Sequence, residues 1–135
     1  MIYNRGYYKT IKNYKRKKVM EYKGSCHCGQ VKLVVEGELT EVLSCNCSIC
    51  QKKGSLLWFL PTNQVKVTLG TPDTLANYTF NKHVINHHFC KNCGIHPYAQ
   101  GIDNQGNSIF AINVRCIDGI DLDKIKINYF DGRSV

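Results

Sequence analysis

Seven of the eight cysteines in the chain fall into three tight groups with the spacing of metal ligands. The groups are a Cys-X-Cys pair, a Cys-X-Cys-X-X-Cys triplet and a Cys-X-X-Cys pair, formed by Cys26 and Cys28, by Cys45, Cys47 and Cys50, and by Cys90 and Cys93. Thiolates are soft ligands that select zinc over magnesium or calcium. Zinc takes four protein ligands in a structural site and usually three, plus a water, in a reactive site.

The sizes of these groups fit two zinc ions per chain. The two pairs together would supply four thiolates to a closed structural site, and the triplet would hold a second ion with one position free. The triplet has an alternative role as a second structural site, whose fourth ligand is one of His27, His87, His88 and Cys116. Another grouping would join the end of the triplet, Cys47 and Cys50, to the Cys-X-X-Cys pair, but it leaves three cysteines without a role.

Disulfide bonds explain the same cysteines less well. No apolar segment typical of a secretory signal follows the N-terminus, so an oxidising compartment is not indicated. Two cysteines separated by a single residue are poorly placed to bridge each other. Gly29 and Gly94 directly follow Cys28 and Cys93, where a positive φ would turn backbone N–H groups toward a thiolate. We therefore expect a cytoplasmic protein with reduced, metal-binding cysteines.

The segments between the cysteine groups are typical of β-strands, and no stretch of twelve residues has the periodicity of an amphipathic helix. Residues 65–69 alternate apolar and polar side chains, and further strands are predicted over residues 31–35, 56–60, 75–80, 83–89, 108–114 and 125–130. Turns are expected near Gly37 and over residues 70–73. We predict a mainly β, mostly antiparallel domain whose loops carry the cysteines, with Trp58 and Phe59 in its core.

The N-terminal segment differs from the rest of the chain in charge. Its seven cations and lack of acids account for nearly all of the net charge of +8: Arg5, Lys9, Lys12, Lys15, Arg16, Lys17 and Lys18. Such a segment can bind nucleic acid, an acidic membrane surface or a nuclear import receptor, or it can be a solvated tail. We predict a basic leader over residues 1–19 and a zinc-binding domain over residues 20–135, with Met20 as an alternative start.

The cysteine groups and their neighbours resemble the glutathione-dependent formaldehyde-activating enzyme family, which shares its domain with centromere protein V. The resemblance rests on residues 24–29 (GSCHCG), 45–50 (CNCSIC) and 89–94 (FCKNCG), and it continues at 113–118 (NVRCID) and 130–133 (FDGR). It extends from about Met20 to Arg133 and leaves the basic leader outside. It implies a β-tent fold of small antiparallel sheets pinned by zinc.

The resemblance also implies roles for individual residues. The structural zinc would be held by Cys26, Cys28, Cys90 and Cys93, and the catalytic zinc by Cys45, Cys47 and Cys50. The implied activity joins formaldehyde to glutathione as S-hydroxymethylglutathione, which is a carbon–sulfur lyase reaction in reverse. Apart from the resemblance, an enzyme acting on glutathione would need cationic partners for its carboxylates, and Lys52, Lys53 and Arg115 are candidates. A nearby histidine could move the proton, with His83, His87 and His88 as candidates and His96 lining the same cleft.

The sequence is compatible with three functions. The first is a zinc-dependent, carbon–sulfur lyase-like enzyme that acts on a thiol adduct. The second is a non-catalytic, zinc-stabilised module whose basic leader binds nucleic acid, chromatin or another polyanion, which would add a nuclear location. The third is a zinc-dependent scaffold without enzymatic activity. Cys116 stands alone after an apolar strand and is expected to be a buried apolar side chain.

Overall fold

The computed structural model describes residues 19–135, so the predicted leader lies, apart from Val19, outside the described residues. The described part of the chain forms ten strands and one short α-helix. In chain order these are β1 (Met20–Ser25), β2 (Val31–Gly37), β3 (Glu41–Cys45), α1 (Ser48–Lys53), β4 (Leu57–Pro61), β5 (Val65–Leu69), β6 (Leu75–Tyr78), β7 (Asn86–Cys90), β8 (Tyr98–Ile102), β9 (Ser108–Asn113) and β10 (Lys126–Phe130). Short 3₁₀ turns cover Thr62–Gln64, Val114–Cys116, Leu122–Lys124 and Gly132–Ser134.

The strands form two sheets, and the prediction of a mainly β fold with few helices is confirmed. The smaller sheet has the order β1-β2-β5, and the larger has the order β10-β3-β4-β9-β8-β7-β6. Neighbouring strands are antiparallel except β3 and β10, which run parallel, so the larger sheet is mixed. Within residues 19–135, no helix has the length and apolar composition needed to span a bilayer.

The central strands of the larger sheet are buried on both faces. Trp58 and Leu60 of β4 pack in one cluster with the buried residues of β2 in the smaller sheet. Leu57 and Phe59 belong to a second cluster, because successive side chains of a strand point to opposite faces. Burial on both faces explains the continuous apolar run in this part of the sequence. Trp58 and Phe59 are only 2% and 1% exposed, so their placement in the core is confirmed.

Two predicted boundaries differ from the observed ones. Gly37 is the last residue of β2, paired with Met20, and not part of a turn. A Cβ at Gly37 would lie 2.8 Å from Cζ2 of Trp58, so glycine is needed for the close approach of the indole ring. The strand predicted over residues 83–89 begins at Asn86, because His83 has a φ of 56° and belongs to the preceding turn. Its predicted pairing with residues 75–80 is confirmed by the antiparallel pair β6 and β7.

Candidate metal centres and active site

The two cysteine pairs meet in the core cluster between the sheets. The sulfur atoms of Cys26, Cys28, Cys90 and Cys93 all lie within 4.8 Å of one another. The Sγ of Cys28 is 3.7 Å from that of Cys26 and 3.6 Å from that of Cys90. Four sulfurs placed about 2.3 Å from one tetrahedral zinc would be about 3.8 Å apart. The spacing and the softness of this donor set therefore fit a zinc ion.

Backbone N–H groups surround this four-sulfur cluster at two similar turns. Gly29 and Gly94 have φ values of 82° and 80°, as the sequence predicted. Each turn directs the next N–H group, from Gln30 or Ile95, at the sulfur of the cysteine before the glycine. The N–H group of Val31 also lies 3.3 Å from the Sγ of Cys26. These donors disperse thiolate charge, as the outer hydrogen bonds of metal sites commonly do.

The thiols of this cluster also affect each other's pKa values. Burial opposes ionisation of Cys93, yet the N–H groups of Ile95 and Cys28 and the neighbouring thiols lower its pKa to about 6. Burial is also the main reason that the pKa of Cys90 rises to about 11. The protein alone therefore favours some thiolates in this cluster and disfavours others, whereas a bound cation would favour all four.

The triplet is assembled on the opposite face of the larger sheet. Cys45 ends β3, Cys47 occupies the position before α1 and Cys50 lies in that helix. Their sulfur atoms lie within 4.8 Å of one another, next to the core cluster that contains Phe59. The two centres are thus separated by the sheet, which is incompatible with a site shared by Cys47, Cys50, Cys90 and Cys93.

The triplet has no fourth cysteine, histidine or acidic ligand within the same distance in residues 19–135. Nε2 of His88 donates to Oε1 of Gln100 at 2.9 Å, and the ring contacts Tyr98 on the other face of the sheet. His27 is exposed on the loop after β1. Cys116 is buried, as predicted; burial raises its pKa to about 11, and the nearby charges of Cys26, Cys93 and Asp118 add to this effect. An exogenous group would therefore complete a tetrahedral ion at this site.

Two thiols of the triplet, those of Cys45 and Cys50, have pKa values shifted in opposite directions. Hydrogen bonding from the Cys50 thiol, followed by contacts from Cys47 and the N–H group of Gly132, lowers the pKa of Cys45 to about 6 against the effect of burial. The same interaction with Cys45, together with burial and the charge of Cys47, raises the pKa of Cys50. Three thiolates so close together repel one another, and a divalent cation is the natural compensating charge.

The segment after β10 closes over the triplet. The N–H group of Gly132 points at the sulfur of Cys45, as the lowered pKa of Cys45 reflects. The side chain of Asn46 donates to Asp131 at 3.0 Å and accepts from the N–H group of Arg133 at 3.0 Å. Residues 130–133, which carry part of the sequence resemblance, thus fix the loop between Cys45 and Cys47.

Replacing Gly132 with alanine is expected to disturb this centre alone. The new Cβ would lie 2.5 Å from the Sγ of Cys45 and 3.1 Å from the Cβ of Cys47. Groups that orient ligands typically change metal affinity by 10- to 100-fold, so we expect zinc to bind about tenfold or more weakly at the triplet. Competition with a graded series of chelators measures this. Ser134→Ala, in the same turn but bonded to Asp131, is the matched control. Unchanged zinc affinity of Gly132→Ala would contradict this placement.

An open cleft of about 360 Å³ adjoins the triplet. Its walls include Cys45, Cys50, Asn46 and Arg115, and Tyr129 stands at its rim with 81% of its surface exposed. The Nε of Arg115 donates to the carbonyl of Gly54 at 3.3 Å, which holds the guanidinium in place. A ligand in this cleft would meet two cysteine sulfurs and one cation.

A smaller, more enclosed cavity lies on the inner side of Cys50. It is lined by Cys50, Lys53, Ser55, Leu57, His87, His96 and Ala99. The Nζ of Lys53 donates to Nδ1 of His87 at 2.8 Å and to Nε2 of His96 at 3.3 Å. Nδ1 of His96 donates to the carbonyl of His88 at 2.7 Å, so Nε2 of the neutral ring is free to accept from Lys53.

Burial sets the charge states in this inner cavity. It lowers the pKa of His87 to about 4 and that of His96 to about 3, with the Lys53 charge adding to both effects. Both imidazoles are therefore neutral at pH 7. Burial also lowers the pKa of Lys53 to about 8, while the negative charges of Cys50 and Cys47 oppose that shift. Lys53 remains largely protonated at pH 7 and lines the same cavity as Cys50.

The structure separates the polar residues singled out in the sequence. Lys53 and His96 line the inner cavity, as does His87, and Arg115 lines the open cleft. Lys52 is exposed on α1 and lines neither space, and His83 bonds to Thr79 in an exposed turn. Ser55, which borders both spaces, was not predicted, because one serine after a glycine carries no signal of its own.

The fold and the two sites together define a class: a small β domain built around two thiol clusters, one of four sulfurs and one of three beside an open cleft. The family model "Glutathione-dependent formaldehyde-activating enzyme" matches residues 21–130, and the chain belongs to that family. A crystal structure of a Rhodobacter sphaeroides protein has a similar fold, with a TM-score of 0.67 and 26% sequence identity. The match covers 78% of this chain and 99% of that protein.

Proposed function

We propose that the protein is a zinc-dependent enzyme of the carbon–sulfur lyase type, which forms or cleaves the adduct of a thiol with a small carbonyl compound. The observation that carries this proposal is the pairing of a four-cysteine cluster with a three-cysteine cluster that borders an open cleft. Membership of the formaldehyde-activating family supports glutathione and formaldehyde as the first pair of substrates to test.

The proposal assigns different tasks to the two clusters. Cys26, Cys28, Cys90 and Cys93 would hold a structural zinc that pins the two sheets together, as expected for a β-tent fold. Cys45, Cys47 and Cys50 would hold the second zinc. Zinc bound there would supply Lewis-acid chemistry that favours the thiolate form of a substrate thiol. The chain itself would orient the substrate through the cleft and supply cations to a centre that three thiolates leave negatively charged.

Arg115 is the residue best placed to bind a carboxylate of the thiol substrate. Its guanidinium borders the open cleft with Cys45 and Cys50 and is held by the carbonyl of Gly54. Glutathione is a thiol that carries two carboxylates at neutral pH, and arginine is well suited to binding such groups. Lys52, in contrast, is exposed outside the cleft and has no part in this proposal.

The proposed reaction is tested by following the exchange of formaldehyde and glutathione with S-hydroxymethylglutathione by NMR. The purified, zinc-loaded protein is expected to accelerate formation and cleavage of the adduct above the uncatalysed rate, and a chelator should remove the effect. The control is the Cys47→Ser variant, which lacks one of the three cysteines of the triplet and keeps the four-cysteine cluster. Absence of acceleration with glutathione and with other thiols would contradict the proposed function.

Substitution of Arg115 by methionine is expected to raise the KM for glutathione. Hydrogen bonds to charged groups contribute about 1.5–3 kcal/mol, which corresponds to an increase of roughly tenfold or more. The KM for 2-mercaptoethanol, which lacks carboxylates, should change much less. Steady-state kinetics with both thiols measure the difference, and Lys52→Met is the matched control. Equal changes for the two thiols would contradict a role for Arg115 in carboxylate recognition.

The remaining proposals concern location and the N-terminal segment. All eight cysteines of the described chain are free thiols, which supports a cytoplasmic protein. We propose that residues 1–19 are a leader and residues 20–135 the enzyme domain, so a protein that starts at Met20 should retain full activity.

The basic leader also supports a second function, weak binding of a polyanion, because its seven cations have no compensating acids. Binding of the full chain to duplex DNA should then weaken steeply as salt rises, and it should vanish when residues 1–19 are removed. Retention of DNA binding by the shortened protein would contradict this second function.

A further inference from the structure

The inner cavity contains a buried hydroxyl that the protein does not satisfy. Ser55 is only 4% exposed, and its Oγ has no hydrogen-bond partner. Leaving such a group without a partner typically costs about 1–3 kcal/mol. The hydroxyl borders both the open cleft and the inner cavity, on either side of Cys50. A group that enters from the cleft can therefore reach this hydroxyl.

Lys53 offers a second donor to the same cavity. An ammonium has three N–H bonds, and His87 and His96 accept two of them. No acidic side chain lines the inner cavity, so no carboxylate accepts from the ammonium there. The remaining N–H bond is therefore available to a ligand. The two histidines hold the Nζ on the inner side of Cys50.

We propose that Lys53 and Ser55 form an oxyanion pocket, which binds the oxygen of the carbonyl compound while the carbon–sulfur bond forms or breaks. The inner cavity has room for one group the size of a water molecule, which matches a single oxygen atom. His87 and His96 are positioning residues in this arrangement, since they act through Lys53. This inference rests on the proposed function and specifies the part of the site that handles the carbonyl oxygen.

The chemistry of the pocket balances without any redox partner. In the direction of addition, the electron pair of the thiolate forms the C–S bond and the C=O π bond opens. Its electron pair moves to the oxygen, which becomes an alkoxide and later takes a proton from water. Donors aimed at the position where this charge develops stabilise the transition state more than the substrate. Cleavage of the adduct follows the same steps in reverse.

Thioacetate is a stable probe of this pocket, because its sulfur and oxygen are attached to one carbon as in the adduct. Ethanethiol has the sulfur but no oxygen. We expect Ser55→Ala to weaken thioacetate binding to the zinc-loaded protein about 2- to 10-fold, and Lys53→Met by about 10- to 100-fold, as for neutral and charged hydrogen bonds. Ethanethiol affinity should change less than about twofold in both variants. Isothermal titration calorimetry measures all six affinities.

The controls separate this inference from the proposed function. Ser55→Ala removes only an unpartnered hydroxyl, so its free energy of unfolding should be unchanged or higher, even if Lys53→Met folds poorly. Lys52→Met, one residue from Lys53 but exposed, should retain the wild-type affinities. Adduct turnover by the wild type together with unchanged thioacetate affinity in Ser55→Ala would overturn the pocket and leave the proposed function intact. A selective loss of thioacetate binding in a protein without turnover would support the pocket and contradict the function.

Discussion

Cys90→Ser is expected to leave the domain largely unfolded. Cys90 is fully buried, belongs to the four-sulfur cluster and ends the strand that pairs with β6 and β8. Structural zinc contributes roughly 10–16 kcal/mol of apparent binding free energy in small zinc domains, whereas a typical domain is stable by only about 5–15 kcal/mol. A loss of about 5 kcal/mol or more would therefore remove most of the folded population. Urea unfolding followed by circular dichroism measures the loss.

The control for this variant is the same substitution at the cysteine outside both clusters. Cys116→Ser changes one buried sulfur to oxygen and should cost about 1 kcal/mol, the usual effect of a single substitution. The two variants differ in that only Cys90 lies within the four-sulfur group. Similar unfolding free energies for Cys90→Ser and Cys116→Ser would show that the cluster does not hold a structural ion.

Cys47→Ser is expected to have the opposite effect: loss of activity with retention of the fold. Cys47 precedes α1 and makes no side-chain hydrogen bond that caps this helix, so its sulfur is not needed to form the helix. We expect zinc content to fall from two ions to one and turnover to fall about a thousandfold or more, since a metal ion stabilises transition-state charge by several kcal/mol. Metal analysis and kinetics on the same preparation measure both changes.

Stability distinguishes the two roles that the triplet can have. If Cys47→Ser unfolds the domain to the same extent as Cys90→Ser, the triplet is a structural site. The retained circular dichroism spectrum of Cys47→Ser, compared with that of Cys90→Ser, is thus the critical control. A folded but inactive Cys47→Ser protein with one zinc would support the proposed division of tasks.

The sequence predicted the fold where strand patterns are strong. The strand over Val65–Leu69 was predicted with its observed bounds, because its alternation matches a surface strand. The strand Tyr98–Ile102 was missed, because it contains glutamine and glycine and its burial depends on the strands beside it. The parallel pairing of β3 with β10 was also missed, since these segments are separated by most of the domain and their register is set by tertiary packing.

The sequence predicted the members of the two cysteine clusters better than the groups around them. Cysteine spacing is a local signal, so the members of each cluster could be grouped before the structure was known. The different orientations of Lys52 and Lys53 could not be predicted, because a helix of six residues is too short to show an amphipathic period. The unpartnered hydroxyl of Ser55 is likewise a property of the packed structure, in which no neighbouring group reaches it.

The most direct test of this account is a crystal structure of the purified protein with anomalous scattering recorded at the zinc edge. We expect two zinc peaks per chain. One should be surrounded by the sulfurs of Cys26, Cys28, Cys90 and Cys93, and the other by those of Cys45, Cys47 and Cys50 with one position open to the cleft. A single peak, or disulfide bonds within either group of cysteines, would contradict it.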